Sequence, residues 1–232
     1  MELLALAVAP GIAICLYIYY KDRYNKEPLL NLVVSFLLGV VSALLAVIIQ
    51  LILTKPTEKL FNNTILYTAF YTFMVVALSE EGSKFIMLRW YAYRRKSFDE
   101  PLDGIVYAVM VGMGFATIEN IGYVTEHGFA TGIVRMFLSV PAHGTFAVLM
   151  GYYVGLAKFN EEKRSWYFLQ AIFWPVLFHG TFDFFLFLND VPLLFAGAIV
   201  SFIIAIRLSR NAIKKHQLLS KEKFEEGMNN IG

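Results

Sequence analysis

The chain is poor in the groups that soluble enzymes are usually built around. It has one cysteine, Cys15, in 232 residues, which excludes an intrachain disulfide and a thiolate-rich metal centre. Only 16% of the residues are charged and 58% are hydrophobic; a globular domain of that composition could not cover its own apolar surface with polar groups. Long connections are missing as well. No segment between apolar runs exceeds about a dozen residues, so no soluble domain stands apart to hold an activity. Gly-x-Gly-x-x-Gly and Walker loops are absent, which removes a nucleotide from the expected ligands, as are a Gly-x-Ser-x-Gly serine motif and a His-Glu-x-x-His metal pair. No internal repeat of the kind found in many transporters is visible. The formal net charge is only +2, and its distribution sets topology rather than nucleic-acid binding.

What the chain does have is apolar length, with a mean hydropathy of +0.58. A hydrocarbon core of about 30 Å takes roughly 20 helical residues, and seven runs qualify or nearly do: 3–20, 29–53, 65–93, 104–125, 134–157, 166–188 and 191–208. The expected fold is all-α, a polytopic membrane bundle of about seven transmembrane helices. The first run begins Met1-Glu2-Leu3 without a basic leader or small-residue cleavage pattern, so it reads as a retained span. Most of the 20 Lys and Arg fall in alternate connections and the tail: Lys21, Arg23 and Lys26; Arg89, Arg94, Arg95 and Lys96; Lys158, Lys163 and Arg164; then Arg207 onward. The other loops hold only Lys55, Lys59 and Arg135. The positive-inside rule then places the amino terminus outside and the carboxyl tail in the cytoplasm. Residues 1–208 read as one transmembrane domain, and 209–232 as a basic, mixed-charge cytoplasmic tail with a frayed end. Small residues at four-residue spacing, Ser35/Gly39/Ala43 and Ala147/Gly151/Gly155, mark faces where helix backbones approach closely.

Within these runs the ionisable residues are Glu80, Glu81, Lys84, Glu119, His143, His179 and Asp183. A charge in a span costs about 2.5 to 3.5 kcal/mol on insertion scales, so such residues mark function by default. One buried histidine alone is as readily a structural polar group; seven ionisable groups on four helices are not. Glu80/Lys84 and His179/Asp183 are four apart and share helix faces, so Lys84 compensates one of two adjacent carboxylates and Asp183 sets the tautomer of His179. Asn120 beside Glu119 adds a neutral donor and acceptor. At about 1.5 Å per residue, Glu80, Glu119, His143 and His179 fall at the midplane or in the outer half of the membrane, within reach of one cavity.

Three chemistries suit this inventory. Peptide hydrolysis needs a base for water and donors for an oxyanion, which a buried glutamate and histidines supply. A divalent metal such as zinc needs three or four ligands, for which Glu81, Glu119, His143 and His179 are candidates. A proton-coupled transporter or channel also keeps acids and histidines at the midplane, and a non-catalytic scaffold holding a partner helix is a further alternative.

Glu80-Glu81-x-x-Lys84, Phe115-Ala-Thr-Ile-Glu119-Asn120, His143 and His179-Gly-Thr-Phe-Asp183 resemble the motif set of the PrsW intramembrane proteases. So do Ala9-Pro10-Gly11-Ile12-Ala13, Lys21-Asp22-x-Tyr24-x-x-Glu27-Pro28 and Asp103-Gly104-Ile105-Val106-Tyr107. The resemblance covers most of the chain. It implies a multi-pass protease of the bacterial plasma membrane that makes the first, site-1 cut in a single-pass anti-sigma factor, leading to sigma-factor release in an envelope-stress response. PrsW proteins are similar in turn to CAAX-prenyl endopeptidases and Abi proteins, whose pattern is Glu-Glu-x-x-x-Arg, Phe-x-x-x-His and His-x-x-x-Asn. Here the basic residue comes one position earlier at Lys84, and the other two motifs end in Glu119 and Asp183, which adds carboxylates and keeps a metal site open. By that analogy Glu80, in preference to Glu81, activates water. Glu119 and His143 position it or share its proton, and His179 with Asp183 stabilises the oxyanion or leaving group. Lys84, Phe115 and Asn120 support them. The expected partners are the anti-sigma substrate and the lipid bilayer, with no nucleic acid and no nucleotide.

Overall fold

A computed structural model describes residues 2–188 and 192–229, and among these residues all regular structure is helical. The first helix, α1 (Glu2–Lys21), has Glu2 in its first turn and Lys21 in its last, each charge complementing the helix dipole. Helix α2 (Leu29–Leu60) follows Pro28. Asn63 caps α3 (Thr64–Phe70) by accepting the Leu66 N–H at 3.1 Å, and the backbone continues through a π-helical stretch, Tyr71–Ala77, into α4 (Leu78–Trp90). Helix α5 (Pro101–Phe137) starts with proline at its first position, and Asp103 accepts the N–H groups of Asp99 and Glu100 at 2.8 Å each, satisfying donors that a helix start leaves open. Then come α6 (Ser139–Phe159), α7 (Arg164–Phe187) and α8 (Pro192–Asn229).

Helix α5 is the axis of the bundle: residues 102–117 are buried throughout, and α1, α2 and α6 pack around it. Two crossings are close enough to need glycine. A Cβ on Gly114 would strike the Phe36 carbonyl oxygen and one on Gly39 that of Val111, while Gly104 and Gly151 abut each other's backbone. The two small-residue stripes expected from sequence therefore both face α5. On the other side, α7 packs against α6, α8 and the π-helical stretch. A Cβ on Gly180 would lie 2.5 Å from the Phe73 ring, so glycine next to His179 lets α7 approach the wide turn leading to Glu80.

Five helical stretches among the described residues are long and apolar enough to cross a bilayer: Glu2–Lys21, Leu29–Leu60, Pro101–Phe159, Arg164–Phe187 and Ala196–Glu226. Of the seven expected runs, 65–93 is divided among α3, the π-helical stretch and α4, and 104–125 and 134–157 lie in a single stretch. The start of the run placed at 191 and the tail residues 230–232 lie outside the described residues. The segment between 125 and 134 is helical apart from Gly128, at φ 80° and ψ −165°, a conformation that suits glycine. There the chain turns back on itself. Arg135 reaches Glu119, 16 residues earlier, at 2.7 Å, whereas a straight helix would separate them by about 24 Å.

The opposite end of the bundle from Gly128 is closed by a polar knot. Tyr107 donates to the Glu27 carboxylate, Ser97 and Tyr107 hydroxyls lie 2.8 Å apart, and Asp22 accepts the Glu27 N–H at 3.3 Å. Burial pushes the Asp22 carboxyl up to about 7 and raises those of Glu27 and Glu100. Helix α8 brings Gln217 and Ser220 to this knot. Helix α8 continues past 209, where Gln217 donates to the Lys21 carbonyl at 2.6 Å and Ser220 to Glu100 at 2.6 Å. His216 is fully buried against Tyr152, with ring centres 4.4 Å apart.

Candidate active site

A cavity of about 500 Å³ opens between α2, α5, α6 and α7, and its wall includes Glu80, Phe115, Glu119, His143, His179 and Asp183. Four helices and the chain reversal after Gly128 bring these residues together across sequence distances of up to about a hundred. Glu81, Lys84 and Asn120 lie one layer behind the wall.

The adjacent glutamates occupy different environments. Glu81 is fully buried, and its Oε1 accepts from Lys84 Nζ at 2.7 Å and faces His179 Nδ1 at 2.9 Å. Glu80 faces the cavity. Its Oε1 accepts from Gln50 Nε2 of α2 at 3.2 Å, and its Oε2 is buried without a hydrogen-bond partner, 3.7 Å from Lys84 and 3.9 Å from His179 Nε2. The expected Glu80–Lys84 pairing is present but long; Lys84 belongs primarily to Glu81, because at i,i+3 in this turn it points to the buried oxygen. Lys84 also lies 3.2 Å from His143 Nδ1 and 3.9 Å from the centre of the Phe115 ring, which makes Phe115 a cation–π wall.

Both histidines are held at both nitrogens. His179 Nδ1 meets Glu81 and Nε2 meets Asp183 at 3.2 Å, so the i,i+4 pairing read from sequence is present and a second carboxylate adds to it. His143 Nε2 lies 3.0 Å from Glu119 Oε2. A lysine ammonium has only donors, so Nδ1 of His143 accepts from Lys84 and Nε2–H donates to Glu119. The imidazole of His179 stacks on Phe146, and the two histidine rings stand edge to face, 5.1 Å apart.

Two participants were not found by sequence reasoning. Gln50 touches both Ser79 and Glu80; the one visible signal was a large amide inside an otherwise apolar run. Arg135, a loop charge by its sequence position, donates to Glu119 Oε2 and, at 3.0 Å, to Asn120 Oδ1, with its guanidinium 3.9 Å from the Tyr123 ring centre. Asn120 in turn donates to the Ala7 carbonyl of α1 at 3.0 Å.

Comparison with known proteins gives this arrangement a family. A family model described as PrsW family intramembrane metalloprotease matches residues 27–209. The chain belongs to the PrsW family. Similar curated proteins, each named Protease PrsW, come from Clostridioides difficile, 35% identical over 97% of this chain and 95% of the relative; from Geobacillus kaustophilus, 38% over 78% of each; and from Bacillus subtilis, 38% over 79% of this chain and 82% of the relative. No solved structure is significantly similar to the chain. PrsW membership makes the chain an intramembrane protease and a multi-pass bacterial membrane protein, and it separates that reading from the transporter and scaffold alternatives.

A PrsW metalloprotease needs metal ligands, and this cavity fits that need. Glu80, His143 and His179, all buried, each present a ligand atom within 4.8 Å of the other two, and the unpartnered Glu80 Oε2 is an oxygen that a cation would satisfy. The set differs from the ligands expected from sequence. Glu80 enters this group, while Glu81, fully buried, has its Oε1 committed to Lys84 and His179, and Glu119 lies against His143 and Arg135. Each histidine would serve a metal by releasing one of its two present contacts.

Proposed function

We propose that the cavity hydrolyses a peptide bond in a single-pass membrane protein, with Glu80 as the carboxylate that receives the proton of the attacking water. The observation that carries this is that Glu80 lines the cavity with its Oε2 unpartnered, whereas Glu81, whose Oε2 also lacks a partner, is fully buried behind the wall and ties its Oε1 to Lys84 and His179. A carboxylate whose lone pairs are unfilled in a low-dielectric site is a competent proton acceptor, and Gln50, holding Oε1, orients it. Glu119 keeps His143 oriented toward the water. His179, its Nδ1 held by Glu81, turns its Nε2–H from Asp183 to the oxygen that becomes negative and returns a proton to the leaving amine. Lys84 holds Glu81 in place, Phe115 walls Lys84, and Asn120 joins α5 to α1 beneath the site.

A divalent metal would be held by Glu80, His143 and His179, and when bound it supplies Lewis-acid polarisation and a more acidic water. The seven-span topology with the amino terminus outside and the tail inside is part of this reading, as is the division at 209, with the tail carrying no chemistry. So is the biological substrate: a single-pass anti-sigma factor, cut first at site 1.

Purified protein in vesicles with a single-pass substrate tests the chemistry. Cleavage is expected to stop in a strong chelator, to return with zinc and to be absent in Glu80→Gln. Full cleavage by metal-free protein overturns the metal assignment, and full cleavage by Glu80→Gln overturns the assignment of the base. For the substrate, membrane proteomics of cells carrying the Glu80→Gln/Glu81→Gln variant is expected to show an anti-sigma factor accumulating uncut; normal processing of every such factor refutes that role.

A further inference from the structure

The two histidines of the cavity are supported by the same device. Behind His179, one oxygen of Glu81 takes both the imidazole, at 2.9 Å, and the Lys84 ammonium, at 2.7 Å. Behind His143, one oxygen of Glu119 takes both the imidazole, at 3.0 Å, and the Arg135 guanidinium, at 2.7 Å. Each is a histidine, a carboxylate and a cation meeting at a single carboxylate oxygen. The first triad lies within motifs already visible in sequence. The second is completed by a residue that no motif contains.

We propose that Arg135 is a positioning residue for the proteolytic reaction, acting through Glu119 to fix His143. Three observations separate this from an incidental surface ion pair. The guanidinium is held at three points, by Glu119, Asn120 and the face of Tyr123, a planar fork that lysine does not reproduce. Its side chain is only 12% exposed, so the pair is shielded from solvent screening. And it arrives from the chain reversal at Gly128 as the one cation among the described residues that lines the cavity itself, Lys84 lying behind the wall. Without Arg135, Glu119 would keep a single anchor, the His143 ring it is supposed to hold, and ring and carboxylate could rotate together. Groups that orient an imidazole from behind typically matter by 10- to 100-fold.

The inference rests on the hydrolytic reading above, and the test keeps the two apart. Steady-state cleavage of a single-pass substrate in vesicles is measured for wild type, Arg135→Ala, Arg135→Lys, Glu119→Gln and the double variant Glu119→Gln/Arg135→Ala, with Glu80→Gln as reference. Arg135→Ala is expected to lower kcat by about 10- to 100-fold with KM within about twofold. Arg135→Lys, which keeps one donor and the charge, is expected to recover part of that loss. In the Glu119→Gln background, removal of Arg135 is expected to cost less than about twofold, because its route is already cut. Equal losses in both backgrounds, or a raised KM at unchanged kcat, overturns the inference while the hydrolytic reading stands. Undiminished cleavage by Glu80→Gln instead sinks the reading beneath it. Should Glu119→Gln fall below detection or Arg135→Ala fail to fold, Arg135→Lys decides: full wild-type or uniformly destabilised behaviour without a kcat change counts against positioning.

Discussion

Glu80 and Glu81 are neighbours in sequence with opposite tasks, and replacing each by glutamine separates them. In Glu81→Gln, the oxygen shared by Lys84 and His179 loses its charge, and the buried ammonium is left with a carboxylate at 3.7 Å and the Phe115 ring. Breaking one side of a buried ion pair costs about 3 to 5 kcal/mol; at about 2 to 4 °C per kcal/mol for a chain of 232 residues, Tm falls by about 6 to 20 °C. In Glu80→Gln the amide oxygen still accepts from Gln50, and a poorly paired charge leaves the interior. The lost attraction and the recovered desolvation offset to within about 1 kcal/mol, so Tm moves by less than about 4 °C while cleavage disappears. Thermal unfolding in a mild detergent, run beside the vesicle cleavage assay, reads both quantities. A Glu81→Gln as stable as wild type, or a Glu80→Gln that loses as much Tm as Glu81→Gln, would refute the reasoning.

Close packing and the polar knot make two further predictions. Gly114→Ala drives a methyl group into the Phe36 carbonyl oxygen, a backbone atom that moves only with α2; it is expected to cost about 1 to 3 kcal/mol or more, whereas Gly82→Ala, with nothing within 4 Å, is expected to add roughly 0.5 to 1 kcal/mol. Equal effects in thermal unfolding would show that the α2–α5 crossing is not tight. Asp22, raised by burial to about 7, holds a proton in the folded chain that the unfolded chain releases near 4, so folding stability falls as pH rises from about 4 to about 7 and then levels. Asp22→Asn is expected to flatten that part of the Tm-against-pH curve, Glu27 and Glu100 keeping some slope; an unaltered curve would remove Asp22 from the account.

The helices were legible because apolar length is a one-dimensional property, and the pair His179/Asp183 because i,i+4 contact follows from helix pitch. The small stripes at Gly39 and Gly151 were legible as contact faces, and α5 is what they touch. The long Lys84–Glu80 distance was not legible, since i,i+3 and i,i+4 partners compete and the choice between them depends on which carboxylate is buried. The π-helical turn before Glu80 leaves no trace in residue pattern. Arg135 was hidden for a deeper reason: a glycine flanked by Glu126, His127 and polar residues reads as an external loop, and the pairing of Arg135 with Glu119 exists only because the backbone reverses at Gly128.

That reversal also bears on how the chain enters a bilayer. An arginine presented alone to hydrocarbon costs about 2.5 to 3.5 kcal/mol on insertion scales, and an acidic side chain a similar amount. If α5 partitioned as a straight rod, Glu119 and Arg135 would be charged separately, at different depths. Folded as a hairpin about Gly128, they can partition as one neutral pair, so biogenesis favours a unit that runs from Pro101 into α6 over the sequential threading of independent spans.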